Sequence, residues 1–255
     1  MKRLALVTGA AGDIGRAISR RLRTGHDLVL MADCDHAAAR SAAATLGEGF
    51  VALALDATDP ESCAAAAAEA AKLGRVATLV NNAGGVHAAS LQSTSAEDWQ
   101  ADRALNLDAP FYVFQALAAQ LKETKGSVVN VASVNGLTVF GHPAYAAAKA
   151  GMIHLTRLIA VEYGKFGIRA NAVAPGTVRT RAWEARAAGN PNVFAEAAAH
   201  YPLGRIVSSE DVAEAVGFLA SPLAAAITGI CLPVDCGLTA GVPSLAHTFT
   251  QSPDY

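Results

Sequence analysis

The chain has 255 residues, 52% of them hydrophobic, with 20 Lys and Arg against 22 Asp and Glu and a formal net charge of -2. That size and apolarity can bury a large core and suit one α/β domain better than two, while the weak charge argues against nucleic acid or an anionic membrane as partner. No run is long and apolar enough for a transmembrane helix, and Met1-Lys2-Arg3 enters a strand-like run at once without a signal-peptide cleavage pattern, so the chain reads as cytosolic.

In chain order, Leu4 to Val7 reads as a short buried strand running into Thr8-Gly9-Ala10-Ala11-Gly12-Asp13-Ile14-Gly15 and a helix over Arg16 to Arg23. A glycine-rich turn between strand and helix lets backbone N–H groups and the helix N-terminus come close to a pyrophosphate. A second strand, Leu28 to Ala32, ends at Asp33, where a carboxylate can accept both hydroxyls of an adenosine ribose and would repel a 2'-phosphate. NAD is favoured over NADP. The lack of Arg or Lys at Gly12, Asp33 and Cys34 agrees, with Arg40 the nearest cation in sequence to weigh against it.

Further strand-like runs fall at Val51 to Leu55, Thr78 to Val80, Ser127 to Val131, Arg169 to Val173 and Cys231 to Val234. Between them lie helix-forming stretches such as Ser62 to Leu73, with its alanine run, and Trp99 to Leu121. Apolar strands alternating with helices predict a single-domain, doubly wound parallel sheet of Rossmann type with helices on both faces. Ligands bind such sheets beyond the carboxyl ends of the strands. Asp33, Asp56, Asn81, Ser133 and Pro175 all stand at or just past such ends, so one crevice can gather them.

Tyr145 and Lys149 stand four residues apart, so on a helix they share one face. A free tyrosine titrates near pH ~10. An ammonium ~5 Å away at an effective dielectric of ~20 would favour the phenolate by roughly 3 kcal/mol, a little over two pKa units, which moves the phenol towards use as a base.

Together these residues resemble the short-chain dehydrogenase/reductase family from Leu4 to about Gly241. The resemblance rests on the glycine-rich turn, Asp33, Asp56, Asn81-Asn82-Ala83-Gly84, Asn106, Ser133, Tyr145, Lys149 and Pro175-Gly176 with Thr180. It implies hydride transfer between NAD and a secondary alcohol or ketone, with Tyr145 as acid-base group, Lys149 lowering its pKa and holding the nicotinamide ribose, and Ser133 bonding the substrate oxygen. For Asn106 it implies a proton relay through water to Lys149, against the plainer reading of a satisfied interior amide. Gly9, Asp13, Ile14, Gly15, Asp33, Asp56, Ala57, Asn82, Ala83 and Gly84 would line the dinucleotide, with Pro175, Gly176, Val178 and Thr180 at its carboxamide. The family also suggests a homotetramer.

Two positions depart from the family pattern: Asp13, where glycine is usual, and Cys236, in Asp235-Cys236-Gly237. A carboxylate ~4 Å from a phosphate would cost about 4 kcal/mol at dielectric ~20, so the Asp13 side chain is expected to turn away and cap its own helix. Cys236 is expected to avoid positive φ. The four cysteines form no C-x-x-C pair and predict buried thiols rather than a metal site.

Residues 177–203 correspond to the family's variable substrate lid. Arg179, Arg181, Trp183, Glu184, Arg186 and His200 there form a solvated face or, on a sharper reading, hold an anionic group of the substrate. His87, Asn135, His142 and Trp183 are candidates for a polar substrate pocket. A sugar, polyol or hydroxy acid fits these side chains better than a steroid. The alternatives are a 3-oxoacyl thioester reductase and a nucleotide-binding regulator without turnover. Residues 242–255 read as a mobile tail, or one that reaches a neighbouring subunit.

Overall fold

Strands that are apolar on both faces must be covered on both faces, and they are. In the computed structural model, which describes residues 1–186 and 189–254 (backbone alone at 182, 185 and 186), seven parallel strands form one sheet. These are β1 (Arg3–Thr8), β2 (Leu28–Asp33), β3 (Phe50–Ala54), β4 (Arg75–Asn81), β5 (Ser127–Val131), β6 (Arg169–Pro175) and β7 (Cys231–Val234), in the order β3-β2-β1-β4-β5-β6-β7. On β1 the two-residue period sends Leu4 and Leu6 into one core and Ala5 and Val7 into the other.

The described helices are α1 (Asp13–Leu22), α2 (His36–Leu46), α3 (Pro60–Leu73), α4 (Ala96–Arg103), α5 (Ala109–Thr124), α6 (Pro143–Tyr163), α7 (Arg181–Arg186), α8 (Val193–Ala198), α9 (Ser209–Ala220) and α10 (Pro243–Thr250). Helices α3, α5 and α6 cover the face of Leu4 through Cys63, Ala66, Val113, Leu117 and Ile159. Ile18 and Leu22 of α1, Ala42 of α2 and Val212, Val216 and Leu219 of α9 cover the other. Burying a leucine of this kind is worth roughly 1.5–3 kcal/mol. The sheet order reverses between β1 and β4, so the loops that follow these two strands part there and open a crevice.

The strand runs read from the sequence are all present, with Thr78 to Val80 lengthened to Arg75–Asn81. The single helix expected over Trp99 to Leu121 is not continuous. It divides into α4 and α5 around a π-helical turn, Ala104–Asp108. Pro110 has no N–H to give to the carbonyl four residues earlier, that of Asn106, so an α-helical register cannot run through unbroken.

The expectation for Cys236 is overturned. Its φ is +50°, and Gly237 beside it has φ +89°. The thiol side chain packs against the core on the sheet face covered by α1, α2 and α9. Cys236→Gly should therefore raise stability by about 1 kcal/mol, read as a higher urea midpoint with unchanged slope. A lower midpoint would mean that the packing of the thiol outweighs the strain.

Residues 242–255, expected as a loose tail, contain α10, and Val242, Pro243 and Ser244 form part of a cavity wall on their own subunit. No helix among the described residues is long and apolar enough to cross a membrane.

Candidate active site

At the switch point, the turn after β1 is fitted to the loop after β4. The buried Thr8 hydroxyl accepts from the amides of Asn82 and Ala83, both at 3.0 Å, and the Asn82 amide nitrogen donates to the carbonyls of Thr8 (2.9 Å) and Gly9 (3.1 Å). Gly9 has φ +63°, and a Cβ on Gly15 would lie 2.3 Å from the Gly9 carbonyl oxygen, so neither position admits a side chain without movement. Gly12 is the N-cap of α1 and offers no side-chain acceptor. The first-turn amides are thus free of a side-chain cap, which fits an incoming phosphate.

Asp33 ends β2 with Oδ2 accepting the Ala11 amide at 3.0 Å and Oδ1 accepting the Asp35 amide at 3.1 Å, so the carboxylate is fixed at the rim of the turn. Arg40 is exposed on α2. Asp56 accepts from Thr58 through both amide (2.9 Å) and hydroxyl (2.6 Å), and Ala57 beside it is buried.

On the other side of the crevice, α6 presents Tyr145 and Lys149 to one cavity of about 880 Å³, which Ser133 also lines. The Lys149 ammonium lies 5.5 Å from the Tyr145 ring centroid and donates to the Val131 carbonyl at 2.8 Å. Lys149 is 2% exposed, and burial lowers its pKa to about 7. Burial raises that of Tyr145; a hydrogen bond from Ser133 works the other way, and the Asp102 carboxylate adds to the rise.

In the protein alone burial disfavours charge on both groups. The desolvation that sets the amine beside the phenol also weakens the amine's own charge, a cost the distance argument left out.

Asn106, 0% exposed, stands in the π-helical turn with its amide nitrogen donating to the carbonyls of Gly85 (2.9 Å) and Asp102 (2.8 Å). Its Oδ1 and the Lys149 Nζ flank Gly84: a Cβ there would be 2.9 Å from the one and 3.3 Å from the other. The Asn106 Oδ1 accepts the Gly85 amide at 3.4 Å, so the side chain is satisfied on both its N–H and its oxygen sides.

The family model described as enoyl-(acyl carrier protein) reductase matches residues 9–239. A crystal structure of a short-chain dehydrogenase/reductase from Burkholderia thailandensis superposes with a TM-score of 0.93 at 43% identity, covering 100% of both chains. The chain belongs to the short-chain dehydrogenase/reductase family. Among other members, it is 39% identical to 2-(S)-hydroxypropyl-CoM dehydrogenase 3 of Xanthobacter autotrophicus over 92% of this chain and 95% of that one. It is 36% identical to meso-2,3-butanediol dehydrogenase of Serratia marcescens over 93% of this chain and 95% of that one.

In this short-chain dehydrogenase/reductase, Ile14, Asn82, Gly84, Pro175, Gly176, Val178 and Thr180 line the same cavity as Ser133, Tyr145 and Lys149. Thr180 accepts the Trp183 amide at 3.3 Å. Of the residues considered for substrate, Asn135, His142 and Trp183 line the cavity. Asn135 donates to the Gly141 carbonyl at 3.0 Å, and His142 Nδ1 pairs with the Ala88 carbonyl at 3.0 Å.

Arg179 does not join them. Its guanidinium pairs with Glu184 at 3.0 Å, lies 5.1 Å from the Phe194 ring centroid, and borders a separate cleft with Arg16, Arg20 and Arg205. Arg181 pairs with Asp13, and the Arg186 side chain lies outside the described residues. Asp13 does turn away from the phosphate turn, but towards Arg181 rather than into a cap of its own helix. His87 lies beside the cavity-lining Val86, with Nδ1 2.6 Å from Asp102.

Sequence reasoning missed Asp102, a wholly buried carboxylate, together with Val86, Phe140, Tyr201 and the α10 segment. Tyr201 carries a weak sequence signal, an aromatic at the end of the lid. Its hydroxyl accepts the Thr177 amide at 2.7 Å, and its ring fills the space a side chain on Gly176 would need.

Proposed function

We propose that this enzyme oxidises a secondary alcohol of a small, uncharged polyol or sugar with NAD, and reduces the corresponding ketone in reverse. The observation that carries the reading is the convergence of Ser133, Tyr145 and Lys149 on a cavity whose described lining includes no other lysine and no arginine. The bound dinucleotide supplies the hydride acceptor. Tyr145 takes the hydroxyl proton in oxidation and returns it in reduction, while Ser133 bonds the same oxygen as charge develops on it. Lys149, near the middle of its titration at neutral pH, can take the proton from Tyr145 and pass it to solvent through a water that Asn106 would hold by hydrogen bonding.

NAD is preferred because the fixed Asp33 carboxylate would meet a 2'-phosphate with like charge, about 4 kcal/mol at ~4 Å and dielectric ~20. An uncharged substrate is preferred because Arg179 and Arg181 already pair with Glu184 and Asp13. Asn135, His142, His200 and Ser244 offer polar groups among Val86, Phe140 and Trp183, a mixture suited to hydroxyls on a short carbon frame. The relative named for 2,3-butanediol acts on a molecule of that kind.

A screen of polyols, sugars, hydroxy acids and a 3-hydroxyacyl thioester, run with NAD and NADP in parallel and followed by absorbance of the reduced nucleotide, tests this. We expect turnover with a neutral polyol and a clear preference for NAD. Turnover confined to the thioester or to an anionic hydroxy acid, a preference for NADP, or nucleotide binding without turnover would each replace the reading.

A further inference from the structure

We propose that Asp13 and Arg181 form a latch that fastens the base of the substrate lid to the phosphate turn and sets how fast a bound dinucleotide leaves. The inference rests on the dinucleotide reading above. Asp13 is the first residue of α1 and Arg181 the first of α7, 168 positions later. Asp13 Oδ2 accepts the Arg181 amide at 2.8 Å and Oδ1 accepts Arg181 Nε at 2.7 Å, so both carboxylate oxygens engage one residue.

The pair is partly solvated, with side-chain exposures of 26% for Asp13 and 63% for Arg181. An exposed ion pair held only through two long side chains contributes little. Here one of the two bonds comes from the lid backbone, which fixes the chain itself and not merely a mobile guanidinium. The residues adjoining the pair, Ile14 and Thr180, line the catalytic cavity, while Asp13 itself borders the neighbouring cleft with Arg16, Arg20 and Arg179, so the latch stands between the two, joining the cofactor turn to the lid.

Two effects follow. The arginine cancels the carboxylate charge that would otherwise oppose a pyrophosphate at this turn, which explains how aspartate is tolerated there. On this proposal the chain at Arg181 must part from Asp13 before the nucleotide leaves, and parting breaks both bonds. Asp13 and Arg181 are thus positioning residues that act through the lid.

Stopped-flow displacement of NADH from the wild type, Asp13→Gly, Arg181→Ala and the double variant tests this. Each single variant should release NADH roughly five- to twenty-fold faster, with the double variant no faster than the quicker single one. If Asp13 merely repels phosphate, Asp13→Gly will instead hold NADH longer, and that result overturns the latch, as would additive effects or none.

Hydrogen exchange at the Arg181 amide in the free protein supplies a readout that needs no nucleotide. It should quicken in Asp13→Gly, and unchanged exchange would overturn the proposal by itself. Failure of the wild type to bind NADH would count against the dinucleotide reading, leaving the exchange measurement to decide the latch.

Discussion

Replacing Tyr145 by phenylalanine should leave NADH affinity within about two-fold while kcat falls by roughly two to four orders of magnitude, the range for losing a positioned general acid-base group. The ring of the variant keeps its place on α6, and Lys149 keeps its bond to the Val131 carbonyl, so the cavity wall is preserved. What disappears is the hydroxyl proposed to exchange a proton with the substrate and the partner of Ser133. Equilibrium titration of NADH beside steady-state rates separates the two effects. Near-normal turnover would remove Tyr145 from the chemistry, and a large loss of affinity would recast it as a nucleotide-binding residue.

The second large effect concerns the buried amine. Lys149 is lowered from 10.5 to about 7 because its charged form is desolvated. Between these two values the native state binds fewer protons than the unfolded chain, so the stability of the wild type rises with pH across that interval. Below pH ~7 the native amine is protonated and the full cost of burying its charge is present, about 1.4 kcal/mol for every tenfold loss of proton affinity.

Lys149→Met removes the cost but leaves the Val131 carbonyl without its donor, which is worth about 1–3 kcal/mol. The variant should therefore be inactive yet about 2–3 kcal/mol more stable than the wild type at pH 6. That advantage should shrink by about 2–3 kcal/mol on going to pH 9. Urea denaturation of both proteins at the two pH values checks it. A difference that does not change with pH would mean that the amine titrates at its ordinary value.

Residues whose chemistry is set by local spacing were legible from sequence. Tyr145 and Lys149 face one cavity because four residues make just over one helical turn, and Gly9 and Gly15 stand where strand gives way to helix. The strands could be read because a sheet buried on both faces needs unbroken apolar runs. What escaped notice depends on partners far along the chain or on backbone angles. The Asp13 pairing spans 168 positions, and His87 meets Asp102 only because the loop after β4 folds back over α4. Tyr201 reaches Thr177 across the lid. Cys236 was misjudged because its positive φ is set by the turn it occupies, a backbone angle that composition does not reveal. The π-helical turn around Asn106 was missed although Pro110 signals it, because the apolar period carries on through the break.

Gly84 carries a consequence for anyone wishing to redesign this catalyst. Even a methyl group there would wedge between Asn106 and Lys149, so the position offers no room for variation. Val86 and Phe140 line the same cavity and can be diversified. A mutational library that keeps the glycine and randomises those two residues would explore new specificities while leaving the corner where Asn106 and Lys149 meet Gly84 unchanged.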